Sequence, residues 1–136
     1  MLVCTIGTFH GKRDTSIMQE DGSWVKGPDL PLSAGIMGHC LCPRTIGENE
    51  QYIVAGGYTS WNLVGLLKRV MMYDFHSDAW TSLPNLPEER AYGTCSPYTK
   101  TNGDQLILYI GEILDRHQKV SMSSSNKLKS HINLSE

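Results

Sequence analysis

The chain has no uninterrupted apolar run near the ~18 residues that a membrane-crossing helix needs, so no span is expected. It also has no surplus of positive charge. Twelve Lys and Arg stand against fourteen Asp and Glu, a net charge of -2, which leaves no global field to hold a phosphate backbone or an anionic bilayer. Neither nucleic acid nor membrane is an expected partner. Cysteine is scarce, with four residues and no CxxC pair, so neither a disulfide scaffold nor a zinc knuckle is written here. No GxGxxG, Gly-Lys-Ser/Thr or GxSxG pattern is present, and Gly56-Gly57 is followed by no helix start that would make it a phosphate loop. The opening MLVCTIGTF is too short for the apolar part of a secretory leader, and Lys12 and Arg13 follow it where a leader's charges precede. A cytoplasmic chain with reduced, buried thiols is therefore expected.

What is present is one domain's worth of ordinary globular sequence. In 136 residues, 40% are apolar and 19% charged, within the range of a chain that can bury a core. Laid over itself, the chain repeats. Trp24, Pro28, Leu30 and Pro31 recur 56 positions later as Trp80, Pro84, Leu86 and Pro87. With one residue of slippage, Gly38-His39-Cys40 aligns with Gly93-Thr94-Cys95, and the run YIVAG with ILYIG. Self-similarity over most of a unit marks a repeat architecture.

Inside the unit the periodicity belongs to strands. Nine short ones are expected: LVCTIGTF, DTSIMQE, SWVK, GIMGHCLC, QYIVAGG, RVMMYDF, AWTSL, AYGTCSPY and QLILYIG. No segment reads convincingly as a helix, and SWNLVGLL is taken as a long loop. After Asp115 the composition turns to serine and scattered lysine, so residues 116–136 are expected to be a disordered tail. The sequence Asn133-Leu134-Ser135 fits a glycosylation acceptor, a three-residue pattern that arises commonly by accident.

One unit carries a double glycine closing its second strand (Gly56-Gly57), a tyrosine in the third (Tyr73), a tryptophan opening the fourth (Trp80) and then LPNLPEER with Arg90. That set resembles the kelch repeat of β-propellers. The first unit keeps Trp24 but has Ile17 near the tyrosine position, and the last has Gly111-Glu112 for the glycine pair. The resemblance covers about residues 2–114 and implies an all-β fold of four-stranded antiparallel blades over residues 1–115. It implies about two blades, fewer than the ~4 to 8 of a closed ring. The chain is then a fragment or truncated form of a larger propeller, or a subunit that self-associates to complete one; the first is favoured.

What the resemblance implies about function is a non-enzymatic module that binds other proteins through its inter-strand loops. The exposed candidates are the loop from Tyr58 to Lys68, with Trp61, Leu63, Leu66 and Leu67, and the turns Glu48 to Gln51 and Tyr98 to Asp104. The bland alternative is that the loop's apolar residues fold onto the blade. Tyr73, Trp80 and Trp24 are expected to serve blade packing, and Arg90 to hold a neighbouring strand. Cys40 and Cys95 occupy matching positions and should lie on corresponding strands of adjacent blades. His39, Cys40 and Cys42 hold ligand chemistry but alternate in direction along a strand, so no metal, cofactor or catalytic residue is expected. The competing class is a fragment of a kelch-propeller enzyme such as a copper oxidase.

Overall fold

The computed structural model describes residues 2–5, 13–59, 65–112 and 128–133. Its elements are β1 (Leu2–Thr5), β2 (Thr15–Met18), β3 (Trp24–Lys26), β4 (Cys40–Ile46), β5 (Asn49–Ala55), β6 (Val70–Asp74), β7 (Ala79–Leu83), β8 (Ala91–Thr99), β9 (Gln105–Glu112) and β10 (Leu128–Asn133). All are antiparallel, and no helix occurs among the described residues. They form three sheets in which chain neighbours pair: β1-β2-β3, β4-β5-β6-β7, and β8-β9-β10. No described helix is long and apolar enough to cross a membrane.

The central sheet owes its position to being apolar on both faces. Its register sets Cys40, Ala55, Val70 and Leu83 in one row and Cys42, Ile53 and Met72 in another of the same parity. With Leu86, Ile107 and Tyr109 these residues form one core, between the central sheet and β8-β9. The opposite parity, Leu41, Val54 and Met71, packs with Leu30, Leu32 and Ile36 from the segment that follows β3. A strand buried on both sides reads as a continuous apolar run, which is why QYIVAGG lacks alternation. Leu30 and Leu86, matched by the repeat, play the same part in successive layers. Both are fully buried, and each amide donates to a carbonyl of an earlier segment, Leu30 to Arg13 at 2.9 Å and Leu86 to Lys68 at 2.7 Å.

Strands β4 and β8 are the first of their sheets and hydrogen-bond on one side only. That explains how each carries a proline, Pro43 and Pro97, because a missing N–H is harmless on a free strand edge. The sequence reading ended its fourth strand at Cys42. The strand in fact starts at Cys40 and runs on through Pro43, and what precedes it is an isolated bridge from Met37 to Tyr58.

The expected disordered tail is corrected at residues 128–133, which pair with β9 from Leu128–Gly111 to Asn133–Leu106. The Ser-rich composition argued against a side-chain core, but a free strand edge recruits backbone N–H and C=O groups with little regard to side chains.

Cys40, Cys42 and Cys95 are free thiols in the layer shared by β4 and β8, so the matched cysteines sit on neighbouring first strands. Hydrogen bonding to Cys95, then burial, pushes the Cys42 thiol well above its ordinary range. Cys95 is raised chiefly by its hydrogen bond with Cys40.

Candidate functional site

At one end of the central sheet four backbone segments cross within hydrogen-bonding distance. Gly57 N donates to Arg90 O at 2.7 Å, Gly56 N to Arg69 O at 3.0 Å, Leu67 N to Gly57 O at 2.8 Å and Arg90 N to Leu67 O at 3.1 Å. The glycine pair makes this possible. Both residues have positive φ, and a Cβ on Gly56 would sit 2.5 Å from Arg90 O, one on Gly57 2.7 Å from Met37 O. Arg90 is 2% exposed and ties the crossing to the next sheet: Nη1 donates to Gly111 O on β9 at 3.2 Å, and Nη2 meets the Glu88 carboxylate at 3.2 Å. The strand-holding part expected of Arg90 is thus observed, through charge-assisted bonds.

On this crossing stand two tyrosines. Tyr58 is buried and bridges to both Met37 and Leu66; Tyr92, at a bulge near the start of β8, is 58% exposed. Their hydroxyl oxygens are 2.5 Å apart and their rings 5.5 Å, tilted by 49°. Tyr92 has φ 54, a conformation costly for a bulky side chain, and its amide donates to Gly38 O at 2.7 Å. Burial first, then the Tyr92 hydroxyl, pushes the Tyr58 phenol up to about 12, so it keeps its proton at neutral pH. The product is an exposed aromatic ring with a polar tip, fixed by backbone and hydroxyl. Such groups supply binding area at small entropic cost.

The repeat-signature residues divide. Tyr73 is 1% exposed and packs its ring 5.4 Å from Trp80, directly opposite in the ladder, while its hydroxyl donates to the Asp78 carboxylate. Trp80 Nε1 donates to Pro28 O at 3.0 Å, joining the central sheet to the segment before it. Trp24 departs from the expected packing, being 51% exposed. It pairs with Met18 where Trp80 pairs with Tyr73, and β3 is an edge strand with no described neighbour beyond it.

The loop expectation is corrected at two positions. Leu66 is buried with Tyr58 and Ala91, and Leu67 is half-buried against the Leu30–Ile36 core, so Leu66 offers no exposed apolar surface and Leu67 only part of its side chain. The backbone bonds that fix residues 65–69 on the glycine pair turn both side chains inward. Trp61 and Leu63 lie outside the described residues. Of the two turns, Glu48 to Glu50 borders an open groove of about 600 Å³ with Ile46, Phe75 and His76, whereas Gln51, expected to be exposed, is buried in β5; the other turn carries Tyr98, 54% exposed.

Among the described residues no three of His, Cys, Asp or Glu are arranged to hold a metal. Burial lowers the pKa of His39 and favours its neutral form. Tyr92 escaped the sequence reading because nothing in AYGT announces a left-handed tyrosine; only the adjacent Gly93 hinted at irregular backbone.

No family model matches the chain, and no curated protein matches it. Among solved structures, that of YjhT is similar over 89% of this chain and 33% of its own, with a TM-score of 0.46 and 18% sequence identity. The chain spans about a third of that protein's length.

Proposed function

We propose that the chain is a kelch-type interaction module whose sheets are blades of a propeller, completed by further blades or further copies, and that it binds other proteins without catalysing a reaction. Support for the blade reading comes from the central sheet: a four-stranded meander with glycines at the end of its second strand, Tyr73 in the third, Trp80 in the fourth, and layers packed on both faces. The observation that carries the binding reading is Tyr92, an exposed aromatic held in a strained backbone beside the glycine crossing. Its ring gains a contact and a hydroxyl bond with Tyr58, yet more than half of the side chain stays in water, and strain kept at such a residue supports a binding role.

The test is affinity purification from cells followed by titration with each recovered protein in pure form. Tyr92→Ala is expected to weaken a direct partner about tenfold or more, as loss of a hot-spot aromatic does, while Trp24→Ala leaves binding unchanged. Partners that bind Tyr92→Ala as tightly as the unaltered chain would exclude this face.

A further inference from the structure

At the opposite end of the central sheet lies a half-buried cation with no anion. Arg44, near the end of β4, spends Nε on the Gln105 side-chain oxygen at 2.8 Å, and its Nη1 lies 3.8 Å from the Met72 sulfur. No carboxylate among the described residues pairs with it. A guanidinium withdrawn from water is costly unless an anion compensates, and burial already lowers its pKa. Arg44 opens on a cavity of about 200 Å³ in the seam between the central sheet and β8-β9, lined also by Thr45, Pro97, Tyr98, Thr99, Gln105 and Leu106.

The register puts Pro97, Thr99 and Gln105 on the face of β8-β9 that carries Ile107, towards Arg44, which shares the face of Cys40 and Cys42 on β4. The seam thus offers one cation, the Gln105 amide, a threonine and the apolar ring of Pro97; Thr45, Tyr98 and Leu106 border it from the opposite parity. Gln105 holds the guanidinium plane by its Nε and the Met72 sulfur takes one Nη1 hydrogen, which leaves the second Nη1 hydrogen and Nη2 for a ligand. Planar two-oxygen anions are what such an edge recognises. We infer that the Arg44 cavity is a binding site for a carboxylate group, presented either by a small organic acid or by an acidic side chain of a peptide. A phosphate fits less well, because no second cation lines the cavity to balance its second charge. This site is separate from the Tyr92 face and does not rest on the protein-binding reading.

The test is an NMR titration of the full chain with glutarate, with the isosteric neutral glutaramide, with acetyl-Glu-Glu-amide and with inorganic phosphate. Glutarate or the peptide is expected to give saturable shifts at the Arg44 Nε–H and at the Thr45 and Thr99 amides, with glutaramide giving none. Arg44→Lys, which keeps the charge but not the fork, should weaken the effect about tenfold. The tighter of the two carboxylates identifies the source, free acid or acidic peptide. The inference is overturned if glutaramide shifts these groups as much as glutarate, if neither carboxylate shifts them, or if phosphate binds more tightly than both. The glutaramide comparison uses the unaltered chain and so stands even if the variant fails to fold.

Discussion

The carbonyl of Arg90 receives the Gly57 amide at 2.7 Å and lies 2.5 Å from where a side chain on Gly56 would begin. That one approach closes the central sheet onto the segment leading to β8, and it admits nothing larger than hydrogen at residue 56.

Gly56→Ala is therefore expected to destabilise by about 3 kcal/mol or more, left-handed strain added to overlap with a backbone atom that cannot swing away. Gly22→Ala is the matched control. Its φ of +82 is equally left-handed, but nothing lies within 4 Å, so about 1 kcal/mol is expected. Denaturant melts of the two variants check the difference, and equal losses would mean the close approach is not present in solution.

Trp80 and Trp24 match in the repeat but differ in surroundings. Trp80→Phe loses the hydrogen bond to Pro28 O and should cost about 1 kcal/mol, and Trp80→Ala about 3 kcal/mol. Trp24→Ala should stay within about 0.5 kcal/mol, as for other exposed positions. Thermal unfolding of the three variants gives the ranking.

Much of this was legible in the sequence. Each of the nine expected strands overlaps an observed one, the fourth only at residues 40–42, because apolar runs bounded by Gly, Pro and Asp-rich turns are local signals, and the repeat matched Leu30 with Leu86, which are both fully buried. What was not legible depends on neighbours. The fourth expected strand stopped at Cys42, whereas β4 runs on through Pro43 because it is an edge. The side-chain composition of residues 128–133 said nothing of the free edge on β9. Leu66 and Leu67 looked available because the four-segment crossing that buries the first and half-covers the second involves residues far apart in the chain. Arg44 carried no motif, and its partners Gln105 and Met72 lie 61 and 28 residues away in the chain.

Acid should act through Asp74. The Gln51 side-chain amide, the Ser77 backbone amide and the Asn49 side chain hold its carboxyl at about 2, below the ordinary 3.8. A depressed folded-state pKa stabilises above the unfolded value, and that stability is lost as pH falls from about 4 through 2. Asp74→Asn should flatten the stability profile over this window. An unchanged acid limb in the variant would place the linkage elsewhere.

The thiol layer makes a chemical prediction. Cys42 is raised by its bond to Cys95 and holds little thiolate at pH 8, and Cys40 is buried away from the reagent, so alkylation of both should await unfolding. Peptide mass spectrometry after iodoacetamide, with and without denaturant, is the readout; labelling of Cys42 in native protein would contradict the layer.

The central claim is that the sheet β4–β7 is one layer in a stack, covered on both faces. Methyl NOE spectroscopy on Ile, Leu, Val, Ala and Met-labelled protein tests it directly. Cross-peaks from Ile53 and Ala55 to Ile107, together with cross-peaks from Val54 and Met71 to Leu30 and Ile36, are the expected result. Contacts on one face only, or on neither, would show that the sheets do not stack as blades and would remove the basis for the interaction-module reading.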